Sequence, residues 1–391
     1  MAVERRMQSL SLFRLVLVFS QLLVLALGRK MQFGMTGKLK ILQVADMHYG
    51  DGATTPCEDV FPDQMSTCSD LNTTAFLRRV ILAEKPDLIV FSGDNIFGID
   101  VTDPVKSMNL AFGPAIESNI PWVAILGNHD QESTFSRQEV MKYITTLKNT
   151  LSRVNPVGVG AHVLNGAGNY NLEIGGVIGS KYEDKSLLNL YFLDSGDNSN
   201  VDHVYGYGWI KASQQLWFQQ TSQRLRREYM SEPNPQRSSA PGLAYFHIPL
   251  PEFRNFNSSD ITTGEKQEES SCSDLNSGFF STVMEAGDVK AAFVGHDHLN
   301  DFCGQTYGVH LCYAGGFGYH AYGKAGWSRR ARVVVASLEK FRYGKWGAVK
   351  SIKTWKRLDD HGLTTIDRQT LWSKEPTGRS KNKRITGELK D

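Results

Sequence analysis

The sequence predicts an α/β fold in which two sheets pack as a sandwich flanked by helices, with a ligand site at the carboxyl ends of the strands. Two observations carry this. Five short apolar runs, 41–45, 88–92, 122–126, 243–246 and 291–294, are rich in β-branched or aromatic residues and are closed by glycine or a polar turn, the pattern of buried strands. Each run also ends in residues of metal-ligand type. These are Asp46-Met47-His48, Gly93-Asp94-Asn95, Gly127-Asn128-His129-Asp130, His247 and Gly295-His296-Asp297-His298. In open α/β sheets such strand ends share one rim, so the five clusters are expected to meet.

In chain order, a helix at about 72–84, a strand at 88–92, a helix near 105–118, a strand at 122–126 and a helix at 136–149 make a βαβαβ run. The middle changes character. Segments 163–174 and 187–193 read as antiparallel strands, followed by a helix over 212–228 and a proline-rich break at 232–235. Further strands are expected at 331–338 and 349–355, an order that suits two packed sheets better than one doubly wound sheet. Residues 255–277 are polar and rich in Ser and Glu, and read as a long surface loop beside the site. One domain over 39–358 is expected, because the candidate ligands span from Asp46 to His298. The stretch 373–391 is polar and of mixed charge and reads as a disordered tail.

The N-terminus has Arg5 and Arg6, an apolar run over 10–27 broken by Ser11, Arg14, Ser20 and Gln21, and a small-x-small pattern at Ala26-Leu27-Gly28. Residues 1–28 therefore read as a signal peptide. A retained anchor is the alternative, and the run falls short of the roughly 20 residues a stable membrane span needs. Entry into the secretory pathway, with secretion to the cell wall or delivery to a vacuole, would make Asn72 and Asn257 usable glycosylation acceptors. It would also let the five cysteines form disulfides. Proximity in sequence suggests Cys57 with Cys68 and Cys303 with Cys312, one choice among several, leaving Cys272 over. A net charge of +2 and the lack of a strongly basic stripe argue against a nucleic-acid partner.

Hydrolysis of a phosphate ester asks water to attack an anion, and two cations about 3.5–4 Å apart ease both attack and departure. Such a pair needs a bridging carboxylate, for which Asp94 is the candidate. Asp46 and His48, two residues apart, suit one cation; Asn128 offers a neutral oxygen to the other, and His247, His296 and His298 complete the set. A cluster of nitrogen and oxygen donors without cysteine suits Fe, Mn or Zn in divalent or trivalent form. His129 has a different expected task, protonating the leaving group, with Asp130 or a backbone carbonyl fixing its tautomer. His162, His203, His310 and His361 lack a comparable context.

These five segments, in order, are similar to the signature blocks of the metallophosphoesterase (calcineurin-like) superfamily. Gly-Asn-His with Gly-His-x-His looks like the purple acid phosphatases. Leu193-Asp194-Ser195, Gly208-Trp209-Ile210 and Gly315-Gly316-Phe317-Gly318-Tyr319-His320 further resemble the plant single-domain proteins labelled probable inactive purple acid phosphatases. The similarity runs from about 39 to 358. It implies that Asp46, His48, Asp94 and His298 hold a first metal, and Asp94, Asn128, His247 and His296 a second. Purple members carry a tyrosine three residues after the bridging Asp; here that residue is Phe97, which cannot coordinate. His48 can fill the vacant ligand place with a preference for divalent ions. Purple members also place histidines after the metal histidine to contact substrate, and this chain has none there. Arg254 and His320 are the alternative candidates for substrate contact. The leading expectation is a binuclear-metal acid phosphatase acting on small phosphate monoesters through a metal-bridging hydroxide. A phosphodiesterase and a catalytically silent metal-binding protein are the competing readings.

Overall fold

The computed structural model describes residues 30–156 and 164–374. The expected signal peptide, the first residue of the 163–174 strand, His162 and the tail beyond 374 lie outside them.

Three parallel strands begin the fold: β1 (Lys38–Val44), β2 (Leu88–Ser92) and β3 (Trp122–Ile125). They are almost wholly buried, which explains their continuous apolar runs. The crossovers are helices whose starts are written in the sequence. Ser69 and Asn72 form a capping box on α1 (Asp70–Glu84), Asp103 caps α2 (Pro104–Ser118) with proline at its first position, and Ser136 with Glu139 caps α3 (Arg137–Ile144). Helix α3 stops at Ile144, short of the expected 149. The Thr145 and Thr146 hydroxyls donate to carbonyls three residues back, and Asn149 turns to φ 63°.

The second sheet is built from β4 (Tyr170–Gly175), β5 (Ser186–Phe192), β6 (Gly242–Tyr245), β7 (Ile261–Thr263), β8 (Val289–Val294), β9 (Cys303–Thr306) and β10 (Val309–Tyr313), in spatial order β4-β5-β6-β8-β10-β9-β7. Helices α4 (Ala212–Met230) and α5 (Phe279–Ala286) accompany it. The strand expected over 163–174 starts only at Tyr170, because Gly166 and Gly168 at φ 79° and 84° hold the preceding residues in a turn. The chain then returns to the first sheet with β11 (Arg330–Lys340), β12 (Trp346–Leu358) and β13 (Thr365–Ser373), giving the order β13-β12-β11-β1-β2-β3. Strand β13 lies beyond the expected boundary at 358 and carries the sheet through Ser373, where a tail was expected to begin.

The two sheets face each other across a continuous apolar core that includes Ile41, Val44, Phe91, Val123, Leu190, Tyr245 and Phe293. Registers keep the strand ends level, with Val44 beside Phe91, Ser92 beside Ile125 and Tyr245 beside Phe293. Gln43 spans the sheets just below that rim, donating to Ser92 Oγ at 3.0 Å and to the Val294 carbonyl at 3.4 Å. Disulfides join Cys57 to Cys68 and Cys303 to Cys312, and Cys272 is free and buried. No described helix is long and apolar enough to cross a membrane.

Candidate metal centre

All seven expected ligands leave the carboxyl ends of β1, β2, β3, β6 and β8 within four residues of the strand, and all are buried. The turns that carry them are strained. Asp46, His48, Asp94 and His296 have φ of 57°, 43°, 47° and 81°, the left-handed region that a non-glycine residue adopts only when its surroundings dictate it. Those surroundings are the other ligand turns. The Asp46 amide donates to the Gly93 carbonyl at 3.1 Å, the His48 amide to the Asp94 carbonyl at 2.9 Å, and the Gly295 amide to the His247 carbonyl at 3.2 Å.

The glycines of the motifs make room across segments. A Cβ on Gly93 would overlap the His247 ring, one on Gly127 the Asp94 carboxylate, and one on Gly295 the Asp46 carboxylate. Gly316 and Gly318 likewise admit His298 and the Met47 carbonyl.

Asp46, His48 and His298 converge as one group of donor atoms, and Asp94, His247 and His296 as another. Asp94 Oδ2 stands between them, 3.4 Å from His48 Nε2 and 3.0 Å from His247 Nε2. The other Asp94 oxygen accepts the His129 amide at 2.8 Å. Asp46 Oδ2, His48 Nε2, Asn128 Oδ1, His247 Nε2 and His296 Nε2 are buried without a hydrogen-bond partner. Orphaned atoms of this kind are costly unless a ligand satisfies them, and a set of imidazole, carboxylate and amide donors is what a pair of cations requires. Two rings are already oriented for coordination. His247 Nδ1 sits 3.0 Å from the Ser92 carbonyl and His298 Nδ1 2.9 Å from the Tyr322 carbonyl, so each Nδ1–H donates outward and leaves the Nε2 lone pair facing in.

Electrostatics agree with a site built around positive charge. Burial pushes the Asp46 carboxyl up to about 8 and His296 down to about 3, and it lowers His48 and His298 as well. Burial would also lower His247, but the Asp94 carboxylate outweighs it and lifts that imidazole to about 9.

The centre opens into a cavity of about 190 Å³ lined by His48, Asp94, His129, His296, His298 and His320 together with Phe97, Tyr207 and Tyr322. Phe97 packs against His48, His129 and His320, with ring centroids 5.1, 4.8 and 5.6 Å away. His129 is held through Nδ1 by Glu132 at 2.6 Å. Asp130, expected in that role, instead accepts from the amides of Asn95, Ile96 and Gly127 and ties two ligand turns together. Arg254 does not line the cavity. Its guanidinium donates to the carbonyls of Ser270 and Cys272 and pairs with Asp274, bracing the 270–274 loop. His320 does line it, anchored between the Pro56 carbonyl at 2.9 Å and Asp100 at 3.1 Å. Glu132, Tyr207 and Tyr322 were not anticipated from sequence. Only Glu132, three residues after His129, left a local signal there.

Asn72 and Asn257 are exposed, the former within the capping box of α1. Of the downstream motifs, Asp194 is buried against Arg137 at 2.5 Å, and Ser195 Oγ accepts the His247 and Ile248 amides.

Comparison with known proteins agrees with this geometry. The family model for the calcineurin-like phosphoesterase matches residues 39–300. The chain is 63% identical, over 95% of its length and 98% of the relative's, to "Probable inactive purple acid phosphatase 29" of Arabidopsis thaliana. It is 31% identical to "Phosphatase DCR2" of Saccharomyces cerevisiae over 86% of this chain and 56% of that one. A solved dimetal phosphatase from Danio rerio superposes with a TM-score of 0.53 at 12% identity, covering 86% of this chain and 99% of the other, a likeness of fold. With its five ligand segments in order on the matching two-sheet fold, the chain belongs to the calcineurin-like phosphoesterase family.

Proposed function

We propose that this protein hydrolyses small phosphate monoesters with two metal ions. Asp46, His48, Asp94 and His298 would hold one, and Asp94, Asn128, His247 and His296 the other. The observation that carries the reading is Asp94 Oδ2 lying between two groups of buried donors whose inward atoms lack partners. Bound there, two cations such as Fe, Mn or Zn supply Lewis acidity and lower the pKa of water.

The chain's own residues do the rest. His129 faces the cavity with Nδ1 fixed by Glu132, so its Nε2 is free to hand a proton to the departing oxygen. Phe97 fills the space beside His48 with a ring that excludes water and cannot coordinate. The 190 Å³ cavity favours a monoester over an extended diester. Residence in the secretory pathway, in the cell wall or a vacuole, belongs to the same proposal and is supported by the two disulfides.

A silent metal-binding role is the second reading, favoured by the word "inactive" in the name of the Arabidopsis relative. Metal analysis of the purified protein, with p-nitrophenyl phosphate and its bis-ester as substrates, separates the two. The expected result is two metals per chain and monoester turnover. In His129→Ala the metals should remain while turnover falls by roughly 10²–10⁴. Two bound metals with neither ester hydrolysed would establish the silent reading.

A further inference from the structure

The cavity above the metal centre is acidic and aromatic where a phosphate pocket is usually basic. Among its lining residues there is no lysine or arginine. Glu58 lines it directly. Three more carboxylates stand one contact behind the wall: Asp100 on His320 at 3.1 Å, Glu132 on His129 at 2.6 Å, and Glu268 accepting the Tyr322 hydroxyl at 3.0 Å. The side chains of Asp100 and Glu132 are 50% and 28% exposed, so their charge reaches the mouth. The Arg329 guanidinium behind the wall is buried and donates to the carbonyls of Glu58, Ala321 and Tyr322. The pocket is the one into which the metal centre opens. His48 Nε2 and His296 Nε2, on residues 4% and 7% exposed, line the cavity without partners.

Resting on the hydrolase reading above, we infer that the site selects phosphate monoesters whose alcohol carries a positive charge, the phosphorylated amino alcohols. The two functions divide by depth. At the floor, bound metals would supply positive charge to the phosphate, and the His129 ring faces it. At the mouth, the remainder of the substrate meets four carboxylates and the faces of Phe97, Tyr207 and Tyr322. Aromatic faces backed by carboxylates attract ammonium groups, whereas a nucleotide or polyphosphate would bring further negative charge against the same carboxylates. In the reaction water adds its oxygen to phosphorus, the phosphorus–oxygen ester bond breaks, and the amino alcohol leaves with the proton that its oxygen requires.

The test compares kcat/KM for phosphocholine and phosphoethanolamine with that for glycerol 3-phosphate and ATP on the metal-loaded protein, using p-nitrophenyl phosphate as an uncharged-alcohol reference. Binding of the same compounds to His129→Ala by calorimetry gives a readout that does not need turnover. A preference of about tenfold or more for the cationic esters is expected in both, shrinking with added salt. Glu58→Gln and Glu268→Gln should each reduce the ratio between the cationic esters and glycerol 3-phosphate, and that ratio rather than the absolute rate is the measure. Equal or reversed preference, with p-nitrophenyl phosphate hydrolysed, would overturn the inference and leave the hydrolase reading intact. No hydrolysis of any ester would overturn the hydrolase reading, and calorimetry would still decide the charge preference.

Discussion

Three residues after the last metal-type histidine, Asp301 begins a second buried polar constellation that is the opposite of the first. Its carboxylate pairs with Arg330 at 2.5 Å and with Lys356, and Lys356 also meets Asp367 at 2.5 Å. Arg332, fully buried, donates to the carbonyls of Asp301 and Tyr313, both at 2.9 Å. None of these five side chains is left without a partner. Burial alone would raise the Asp301 carboxyl, yet Lys356 and Arg330 hold it below its ordinary value, while Asp46, without a cation, is pushed up to about 8. Both clusters bury carboxylates, but only the second buries fixed cations beside them. What separates a site shaped to take a ligand from a structural rivet is whether the inward-facing atoms are already satisfied.

The largest effect should come from the site that is unsatisfied. Asp94→Asn removes the carboxylate placed between both donor groups, so metal content and turnover should fall together, the latter by at least about 10²-fold. Because the Asp94 carboxylate also faces the His247 imidazole at 3.0 Å, the metal-free variant should lose some thermal stability as well. Two metals retained at the wild-type rate would remove Asp94 from the bridging position.

Asp301→Ala should show the reverse. It strands Arg330 in a dry interior and leaves Lys356 with Asp367 alone, a cost of about 3–5 kcal/mol, and should lower the melting temperature sharply without touching a ligand. The pH dependence sharpens the contrast. A carboxyl whose folded value is depressed contributes stability that is complete above its unfolded value near ~3.9 and is lost as pH falls through the lower folded value. Urea titrations on the acid limb should therefore show a stability slope in the native protein that is reduced in Asp301→Asn. A melting temperature within a degree of the parent in Asp301→Ala would break the comparison.

The smallest effect concerns the edge between site and core. Iron-loaded native protein should show no phenolate charge-transfer band, because Phe97 offers no oxygen. Phe97→Tyr adds one beside His48 and should bring visible absorbance with only modest change in stability. A coloured native protein would contradict the first expectation. A colourless, iron-replete variant would show that this ring does not reach the cation.

Much of this was legible because buried parallel strands advertise themselves. Their apolar runs, closing glycines and polar ends mark the rim, and capping residues mark the starts of α1, α2 and α3. Strand β13 was missed because it is an edge strand in which only Leu371 is fully buried, so its sequence lacks an apolar run. The C-terminal end of α3 was overestimated because two threonine hydroxyls compete for backbone carbonyls, which hydrophobic period does not register. The place beside His129 expected for Asp130 belongs to Glu132 for a similar reason: adjacency along the chain suggested one carboxylate, and hydrogen-bond geometry chose the other. Tyr207, Tyr322 and the fate of Arg254 depend on contacts between segments far apart in sequence, and no local pattern encodes them.

The interlocking glycines carry a consequence for how such a site decays. A ligand can be exchanged at its own position and leave the neighbouring turns standing, but a side chain at Gly93, Gly127 or Gly295 pushes on a ligand contributed by a different strand. Those three positions are the keys cut into one another's locks. A substitution there would disturb the centre while every aspartate and histidine stayed in place. In this chain all three are still glycine.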